Sequence, residues 1–184
     1  SALTTVSEDY ARTLHDLHSQ PVHVIPNGYQ GELVSESHSK PNEKFTLTYT
    51  GMIYVEKQAP EKPIKALKHL IDTGVIDRQD VTIRFYGRKD RWTQVLIEEF
   101  GLSDVVIQYG QIPRQEARLR QQDSELLLFL NWEDSKNKGF SSLKFYEYLS
   151  AGRPILATGG ESGSEVENIL RETQTGIYAS SDRD

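Results

Sequence analysis

A short run in the last third of the chain carries the side chains best suited to bind a charged ligand. Lys144 and Glu147 are three residues apart in a segment typical of a helix, so they share one helix face. Ser141 and Ser142 come just before it and are of the residue type that caps helix N-termini. A cation and a carboxylate beside a helix N-terminus suit a ligand with both phosphate and hydroxyl groups, such as a sugar nucleotide. A surface ion pair would show the same spacing.

The same segment also has the pattern of a helix that packs on a core. Phe145, Tyr148 and Leu149 recur on another face, and Gly152 is placed to end the helix. The apolar residues that follow predict a buried strand over 153–157.

Strand-like and helix-like segments alternate along the rest of the chain. Predicted strands cover residues 22–25, 45–50, 81–86, 105–109, 125–130, 153–157 and 176–179. Predicted helices cover residues 8–18, 60–73, 91–100, 114–122 and 164–172, besides the one that carries Lys144, and residues 31–44 are expected to form a loop. Because parallel strands need crossover connections, this order predicts an α/β fold, a Rossmann-like doubly wound parallel sheet of about six strands.

Three of the predicted strands end in glycine, at Gly51, Gly87 and Gly110. Ligands of doubly wound sheets bind at the carboxyl ends of the strands, where glycine lets backbone N–H groups approach an anion. Lys57 and Arg88 lie just beyond these strand ends and could neutralise a diphosphate. Glycine is also a common strand terminator, and lysine and arginine are most often solvated surface charges. The glycine patterns of dinucleotide-binding folds and of P-loop NTPases are both absent.

Composition excludes several classes of function. The 184 residues fit one soluble domain of ordinary size, and the net charge of −6 argues against general nucleic-acid binding. The chain has no cysteine, no apolar run long enough to span a bilayer and no signal-peptide pattern. Its five histidines are scattered without carboxylates at ligand spacing, so no metal site is expected.

The run from Ser142 to Leu156 resembles the S-K-x-x-E-Y-x-x-x-G-x-P-x-L signature of group 1 glycosyltransferases, which are retaining enzymes with the two-domain GT-B fold. Other segments are similar to motifs of this family and follow in the same order. They are Thr5-Val6-Ser7, Val24-Ile25-Pro26-Asn27-Gly28, Tyr49-Thr50-Gly51, Phe85-Tyr86-Gly87 and Tyr109-Gly110-Gln111-Ile112-Pro113.

The resemblance implies the C-terminal, donor-binding domain of such an enzyme. Residues 1–28 would be a connecting helix and strand from the end of a missing N-terminal domain, and residues 29–184 would bind a nucleotide-sugar. The whole enzyme would transfer a sugar, with retention, to a glycan or lipid-linked acceptor in polysaccharide biosynthesis. The nucleotide-sugar is a substrate, and no cofactor or metal is implied. The expected location is the cytoplasm, with any contact to the inner membrane face made through the missing half.

The resemblance also implies site residues, together with the basic residues beyond the strand ends. Glu147 would bind the donor ribose, and Gly110 and Ile112 would contact the base. The diphosphate would be bound by Gly51, Lys57, Arg88, Ser142 and Lys144. The family's catalytic groups come largely from the missing half, so this domain is expected to be inactive alone, and no catalytic residue is assigned to it.

Two positions depart from the family pattern. Met52 follows the first glycine where many relatives have arginine or serine. Gly139 stands eight residues before Glu147, where many relatives have a second glutamate that contacts the transferred sugar, and Glu133 or Asp134 could replace it. These departures leave open a non-catalytic Rossmann-like interaction module. A UDP-sugar epimerase of the GT-B type is a further alternative, although its histidine and acidic residues are not found.

Overall fold

The computed structural model describes residues 1–29, 42–54, 56–133 and 142–179, and its centre is a six-stranded parallel sheet. The strands are β3 (Phe45–Thr50), β4 (Val81–Tyr86), β5 (Val106–Gly110), β6 (Leu126–Leu130), β7 (Ile155–Thr158) and β8 (Gly176–Ala179). Their order in the sheet is β5-β4-β3-β6-β7-β8, with every neighbouring pair parallel. This order confirms the predicted doubly wound fold and its number of strands.

Helices cover both faces of this sheet. They are α2 (Glu61–Asp72), α3 (Arg91–Glu99), α4 (Arg114–Gln122), α5 (Leu143–Ser150) and α6 (Glu165–Thr173). Alternate residues of β6 belong to two separate cores: Leu128 packs with side chains of α2 and α3, and Phe129 packs with those of α5 and α6. Because successive strand residues point to opposite faces, the two cores lie on opposite sides of the sheet. The nearly continuous apolar run of β6 therefore reflects burial on both faces.

The parallel strands bring their carboxyl ends to one edge, which we call the strand-end edge. The Gly51 N–H donates to the Tyr86 carbonyl at 2.7 Å, and the Gly87 N–H donates to the Gly110 carbonyl at 3.0 Å. A Cβ at Gly87 would lie 2.0 Å from the Gly51 carbonyl oxygen, so only glycine allows the backbone segments at the ends of β3 and β4 to approach this closely. Helix α5 follows β6 and begins at the same edge.

The N-terminal residues form a small unit of their own. A strand β1 (Leu3–Thr5) pairs in parallel with β2 (Val22–Val24), and α1 (Glu8–Leu17) connects them. Strand β1 is not among the predicted strands, because a three-residue strand is too short for an alternating pattern to show. The proposed boundary after residue 28 stays a prediction. None of the helices in the described ranges has the length and apolar composition of a membrane span.

Several sequence predictions fall outside the described residues. The loop expected over 31–44 is described only from residue 42, and Asp134, Gly139 and Ser141 are not described. The boundaries of the described elements mostly agree with those predicted to within two residues. Ser142 is the N-cap residue of α5 as predicted, but its side chain makes no capping hydrogen bond, so the expected serine cap is wrong in that detail.

Candidate ligand-binding site

A cavity of about 240 Å³ opens at the strand-end edge. We call it the strand-end cavity. Its walls come from the residues after β3 and β4, the loop before α4, and α5. The lining includes Gly51, Met52, Gly87, Arg88, Gln111, Ile112, Arg114, Lys144 and Glu147. The cavity therefore lies where ligands of doubly wound sheets bind.

Lys144 extends from the first turn of α5 across the end of β3. Its Nζ lies 4.0 Å from the centroid of the Tyr49 ring and donates a hydrogen bond to the Tyr49 hydroxyl at 2.6 Å. That hydroxyl in turn donates to the Met52 carbonyl oxygen at 2.8 Å. The phenol therefore accepts from the amine and donates to the backbone, which fixes the amine above the aromatic ring.

The amine of Lys144 is only weakly stabilised as a cation in this position. Burial lowers its pKa to about 7, and the Glu147 carboxylate partly opposes that shift. Burial also raises the pKa of the Tyr49 hydroxyl, so the phenol remains neutral. An anion in the cavity would supply the charge that favours the ammonium form.

Gly51 provides the space through which Lys144 passes. A Cβ on Gly51 would lie 2.8 Å from Cε and 2.9 Å from Nζ of the lysine. The residue also has φ of +115°, a backbone conformation that L side chains rarely adopt. Glycine is therefore required at this strand end both by the backbone conformation and by the path of the Lys144 side chain, and not only to terminate β3.

Glu147 lies one turn further along α5 and faces the same cavity. Its Oε1 accepts a hydrogen bond from Nη2 of Arg114, the first residue of α4. Glu147 is therefore paired with α4 across the cavity, and the hydrogen-bonded ion pair with Lys144 that the spacing allowed is not present. Its side chain remains 21% exposed, so the carboxylate is still open to a ligand.

The structure brings five of the eight predicted site residues to the strand-end cavity. They are Gly51, Arg88, Ile112, Lys144 and Glu147. Gly110 supports the wall, because its carbonyl accepts the N–H of Gly87. Lys57 lies elsewhere, with Nζ 4.3 Å from the centroid of the Trp132 ring.

Ser142 lines a second cavity, of about 420 Å³, on the other side of Lys144. The aromatic side chains Tyr54, Phe129 and Trp132 form much of its wall. Lys144 lines both cavities, so the two cavities meet at this residue.

Sequence reasoning missed Arg114 and Tyr49 as site residues. Arg114 directly follows the Gly110–Pro113 segment, and the position beyond a strand end that singled out Arg88 could have identified it too. Tyr49 belongs to the Tyr49-Thr50-Gly51 motif, but the motif assigns no role to its side chain, and a strand tyrosine is usually a core residue. Its contact with Lys144 joins residues far apart in the chain.

The strand-end cavity is suited to an anion. Of the residues that the structure describes, Arg88, Arg114 and Lys144 line it together with a single carboxylate, that of Glu147. Among the described residues, no group of three or more histidines and carboxylates could hold a metal ion. Arg88, Arg114 and Lys144 are side chains that could neutralise a phosphate in this cavity.

The sheet order and the two-sided helix packing define an α/β fold that matches one Rossmann-like half of a GT-B fold. WaaG, a glycosyltransferase involved in lipopolysaccharide biosynthesis, has a similar fold, with a TM-score of 0.76 and 14% identity over 99% of this chain. HepE from Anabaena, in complex with UDP, has a TM-score of 0.69 and 15% identity over 100% of this chain. The pneumococcal O-GlcNAc transferase GtfA, in complex with UDP and GlcNAc, has a TM-score of 0.65 and 15% identity over 87% of this chain.

These likenesses are partial in length and low in identity. The chain spans 50% of WaaG, 50% of HepE and 30% of GtfA. At such identities the shared property is the fold. No family model matches the sequence, and no curated protein matches it.

Proposed function

We propose that this chain is the donor-binding domain of a retaining GT-B glycosyltransferase and binds a nucleotide-sugar in the strand-end cavity. The observation that carries the proposal is that Lys144 and Glu147 line one cavity at the carboxyl ends of the strands. One group suits a diphosphate and the other suits vicinal hydroxyls, and both lie at the edge where such folds bind nucleotides.

For each part of the nucleotide-sugar, the described residues include a group that could bind it. Glu147 would accept hydrogen bonds from the two ribose hydroxyls, and Ile112 and the backbone near Gly110 would contact the base. Lys144 and Arg88 would hold the diphosphate, with the backbone of Gly51 close by. The second cavity, beyond Lys144, would then receive the transferred sugar, because aromatic walls suit the apolar faces of sugar rings.

During transfer, negative charge grows on the diphosphate as the bond to the sugar breaks. Lys144, Arg88 and the N-terminus of α5 would stabilise that charge, because they are already positioned at this edge before the reaction begins. The acceptor and the groups that orient it would come from an N-terminal domain. We therefore expect the isolated chain to bind the donor without transferring its sugar.

The setting of the reaction is part of the same proposal. WaaG acts in lipopolysaccharide biosynthesis, and HepE and GtfA contain UDP. By analogy we place this chain in the synthesis of a polysaccharide or glycan in the cytoplasm, where any membrane contact would be made by the acceptor half. UDP-sugars are the first donors to test.

One observation favours a second function, a non-catalytic interaction module. Met52 lines the cavity and is 42% exposed at the position where related enzymes often have arginine or serine. If the cavity no longer binds a nucleotide, this apolar side chain would suit contact with another protein.

Calorimetric titration with UDP-glucose and GDP-mannose separates the two functions. We expect at least one nucleotide-sugar to bind, and Glu147→Gln to weaken its binding about tenfold through loss of charged hydrogen bonds. Glu116→Gln is the matched control, because Glu116 also pairs with an arginine, Arg120, but does not line the cavity.

The two variants give a clear decision. Weakened binding in Glu147→Gln together with unchanged binding in Glu116→Gln would support the assignment of Glu147 to the ribose. Equal effects of both substitutions would contradict that assignment. No binding of any nucleotide-sugar to the native chain would favour the interaction module.

A further inference from the structure

The hydroxyl group of Tyr49 has three hydrogen-bond partners in the buried wall beside the strand-end cavity, and the longest of these contacts is to Oε1 of Gln58 at 3.5 Å. It accepts from Nζ of Lys144 at 2.6 Å and donates to the Met52 carbonyl at 2.8 Å. Tyr49 itself is fully buried, and its ring is tilted against Phe85 with the centroids 5.8 Å apart. The phenol is therefore fixed by packing and by the backbone before it contacts the lysine.

Lys144 has little else to hold its amine in place. Among the described residues, the Tyr49 hydroxyl is the hydrogen-bond partner found for Nζ, and the Glu147 carboxylate is bonded to Arg114 instead. A lysine side chain carries its amine on a flexible stem of four carbons, so an unrestrained amine would occupy many positions. The ring and hydroxyl of Tyr49 restrict it to one position, and the missing side chain of Gly51 leaves that position open.

We infer that Tyr49 is a positioning residue for diphosphate binding: its hydroxyl holds the Lys144 amine at the boundary between the two cavities. The inference rests on the proposed function, since it concerns the same diphosphate. One N–H of the ammonium is directed to the phenol, and the remaining two are left for phosphate oxygens. A fixed amine loses less entropy when it binds the ligand, so the hydroxyl contributes to affinity without touching the diphosphate.

Tyr49→Phe tests this with little change in packing, because the ring and its contacts remain. With UDP-glucose as the probe, we expect binding to weaken about tenfold, the effect of losing one hydrogen bond to a charged group. Tyr178→Phe is the matched control, because it also removes a hydroxyl that bonds to backbone carbonyls, those of Gly159 and Glu161. It should leave binding unchanged.

A double-mutant cycle shows whether Tyr49 acts through Lys144. If it does, adding Tyr49→Phe to Lys144→Met should change affinity by less than about twofold. Losses that multiply in the double variant would contradict the inference, and so would a Tyr49→Phe protein that binds like the native chain. Failure of the native chain to bind any nucleotide-sugar would instead overturn the proposed function on which the inference depends.

The pKa of Lys144, followed by NMR of labelled lysine in the absence of ligand, is a readout that loss of stability alone would not change. An amine released by Tyr49→Phe would reach solvent in the open cavity, so its pKa should rise from about 7 towards the ordinary lysine value. An unchanged or lower pKa would show that the amine keeps its place without the hydroxyl and would overturn the inference.

Discussion

Two polar clefts of the molecule carry opposite charge. In the part of the chain that the structure describes, the strand-end cavity is lined by three basic side chains and one carboxylate. A cleft of about 330 Å³ between α1 and α6, which we call the α1–α6 cleft, contains Glu8, Asp9, Glu165 and Glu172, with Arg12 as its cation. The chain as a whole has a net charge of −6. Positive charge is therefore concentrated at the strand-end edge against the overall balance.

The two clefts also differ in how their charged groups are held. Lys144 is fixed by the hydroxyl and ring of Tyr49 and by the space above Gly51. In the α1–α6 cleft, Arg12 pairs with Asp9 of its own helix at 3.0 Å, and its side chain is 75% exposed. A fixed cation beside open space is typical of a binding site, whereas an exposed pair within one helix is typical of a solvated surface. The net charge alone would have hidden this distinction.

Removing the cation from the strand-end cavity should have the largest effect. We expect Lys144→Met to weaken nucleotide-sugar binding about 100-fold, because the phosphates would lose one of their two charged hydrogen-bond partners and keep only Arg88. Calorimetric titration measures the change, and Lys68→Met is the matched control, since Lys68 pairs with Asp72 on the exposed face of α2. Equal affinities of the two variants would contradict the assignment of Lys144 to the binding site.

The same substitution should stabilise the empty protein. Burial of the ammonium is unfavourable below its folded pKa of about 7, where Lys144 is charged in both the folded and unfolded chain. Lys144→Met should therefore raise the free energy of unfolding at pH 6 by about 1–3 kcal/mol. Above pH 7 the folded amine is neutral and the native protein recovers stability, so the difference should shrink by pH 9 in denaturant titrations.

Adding a side chain at Gly51 should have the next largest effect on binding. Gly51→Ala would place a Cβ 2.8 Å from Cε of Lys144 in a backbone with φ of +115°. We expect about a tenfold loss of binding, because the lysine must move, and about 1–3 kcal/mol of lost stability from backbone strain. Gly101→Ala is the control: it has φ of +61° but no atom near its Cβ, so it should lose stability with little change in binding.

The pH dependence of binding should be gradual and specific to the strand-end cavity. The diphosphate of a nucleotide-sugar does not titrate near neutrality, whereas Lys144 loses its charge above pH about 7 in the empty protein. Tyr49, Glu147, Arg88 and Arg114 surround it or line the same cavity, and the phenol of Tyr49 stays neutral because burial raises its pKa.

Binding above pH 7 must therefore take up a proton, and affinity should fall by up to about tenfold for each pH unit. Titrations at pH 6, 7, 8 and 9 would measure this fall. The Lys144→Met protein should show no such slope, and an equal slope in that variant would assign the proton to another group.

The smallest effect is expected in the α1–α6 cleft. Burial raises the pKa of Glu165, and the Glu8 and Asp9 carboxylates add to the shift. A raised folded pKa means that this group destabilises the fold increasingly as pH rises from the unfolded pKa through the folded one. Glu165→Gln should therefore stabilise the protein at pH 7 by less than about 1 kcal/mol and have no effect near pH 4.

Thermal unfolding at these two pH values measures the effect of Glu165→Gln. Glu172→Gln, an exposed position in the same cleft, should change little. A loss of nucleotide-sugar binding in Glu165→Gln would indicate that the ligand binds in the α1–α6 cleft, and it would contradict binding in the strand-end cavity.

The sequence predicted what depends on local periodicity. The alternation of strands and helices gave the parallel sheet, and the spacing of Lys144 and Glu147 placed both at one cavity. The contacts that complete the cavity join distant parts of the chain. The pairing of Glu147 with Arg114 and of Lys144 with Tyr49 depends on how β3, α4 and α5 meet, which no local pattern records.

The position of Lys57 also shows that a local sequence pattern does not determine which residues meet at the cavity. It follows a strand end in the sequence, as Arg88 does, yet its amine lies over the Trp132 ring and outside the strand-end cavity. The path of the connection after β3 decides this placement, and loop paths depend on packing that a single sequence does not show. Ser142 likewise occupies the N-cap position of α5 as expected, but its hydroxyl makes no capping hydrogen bond.

The most direct test of the central claim is an amide NMR titration of the native chain with UDP-glucose and GDP-mannose. We expect one of them to shift the signals of Gly51, Gly87, Ile112 and Glu147, which line the strand-end cavity, and to leave those of the α1–α6 cleft unchanged. Shifts centred on Glu165 and Asn168, or no shifts with either nucleotide-sugar, would contradict it.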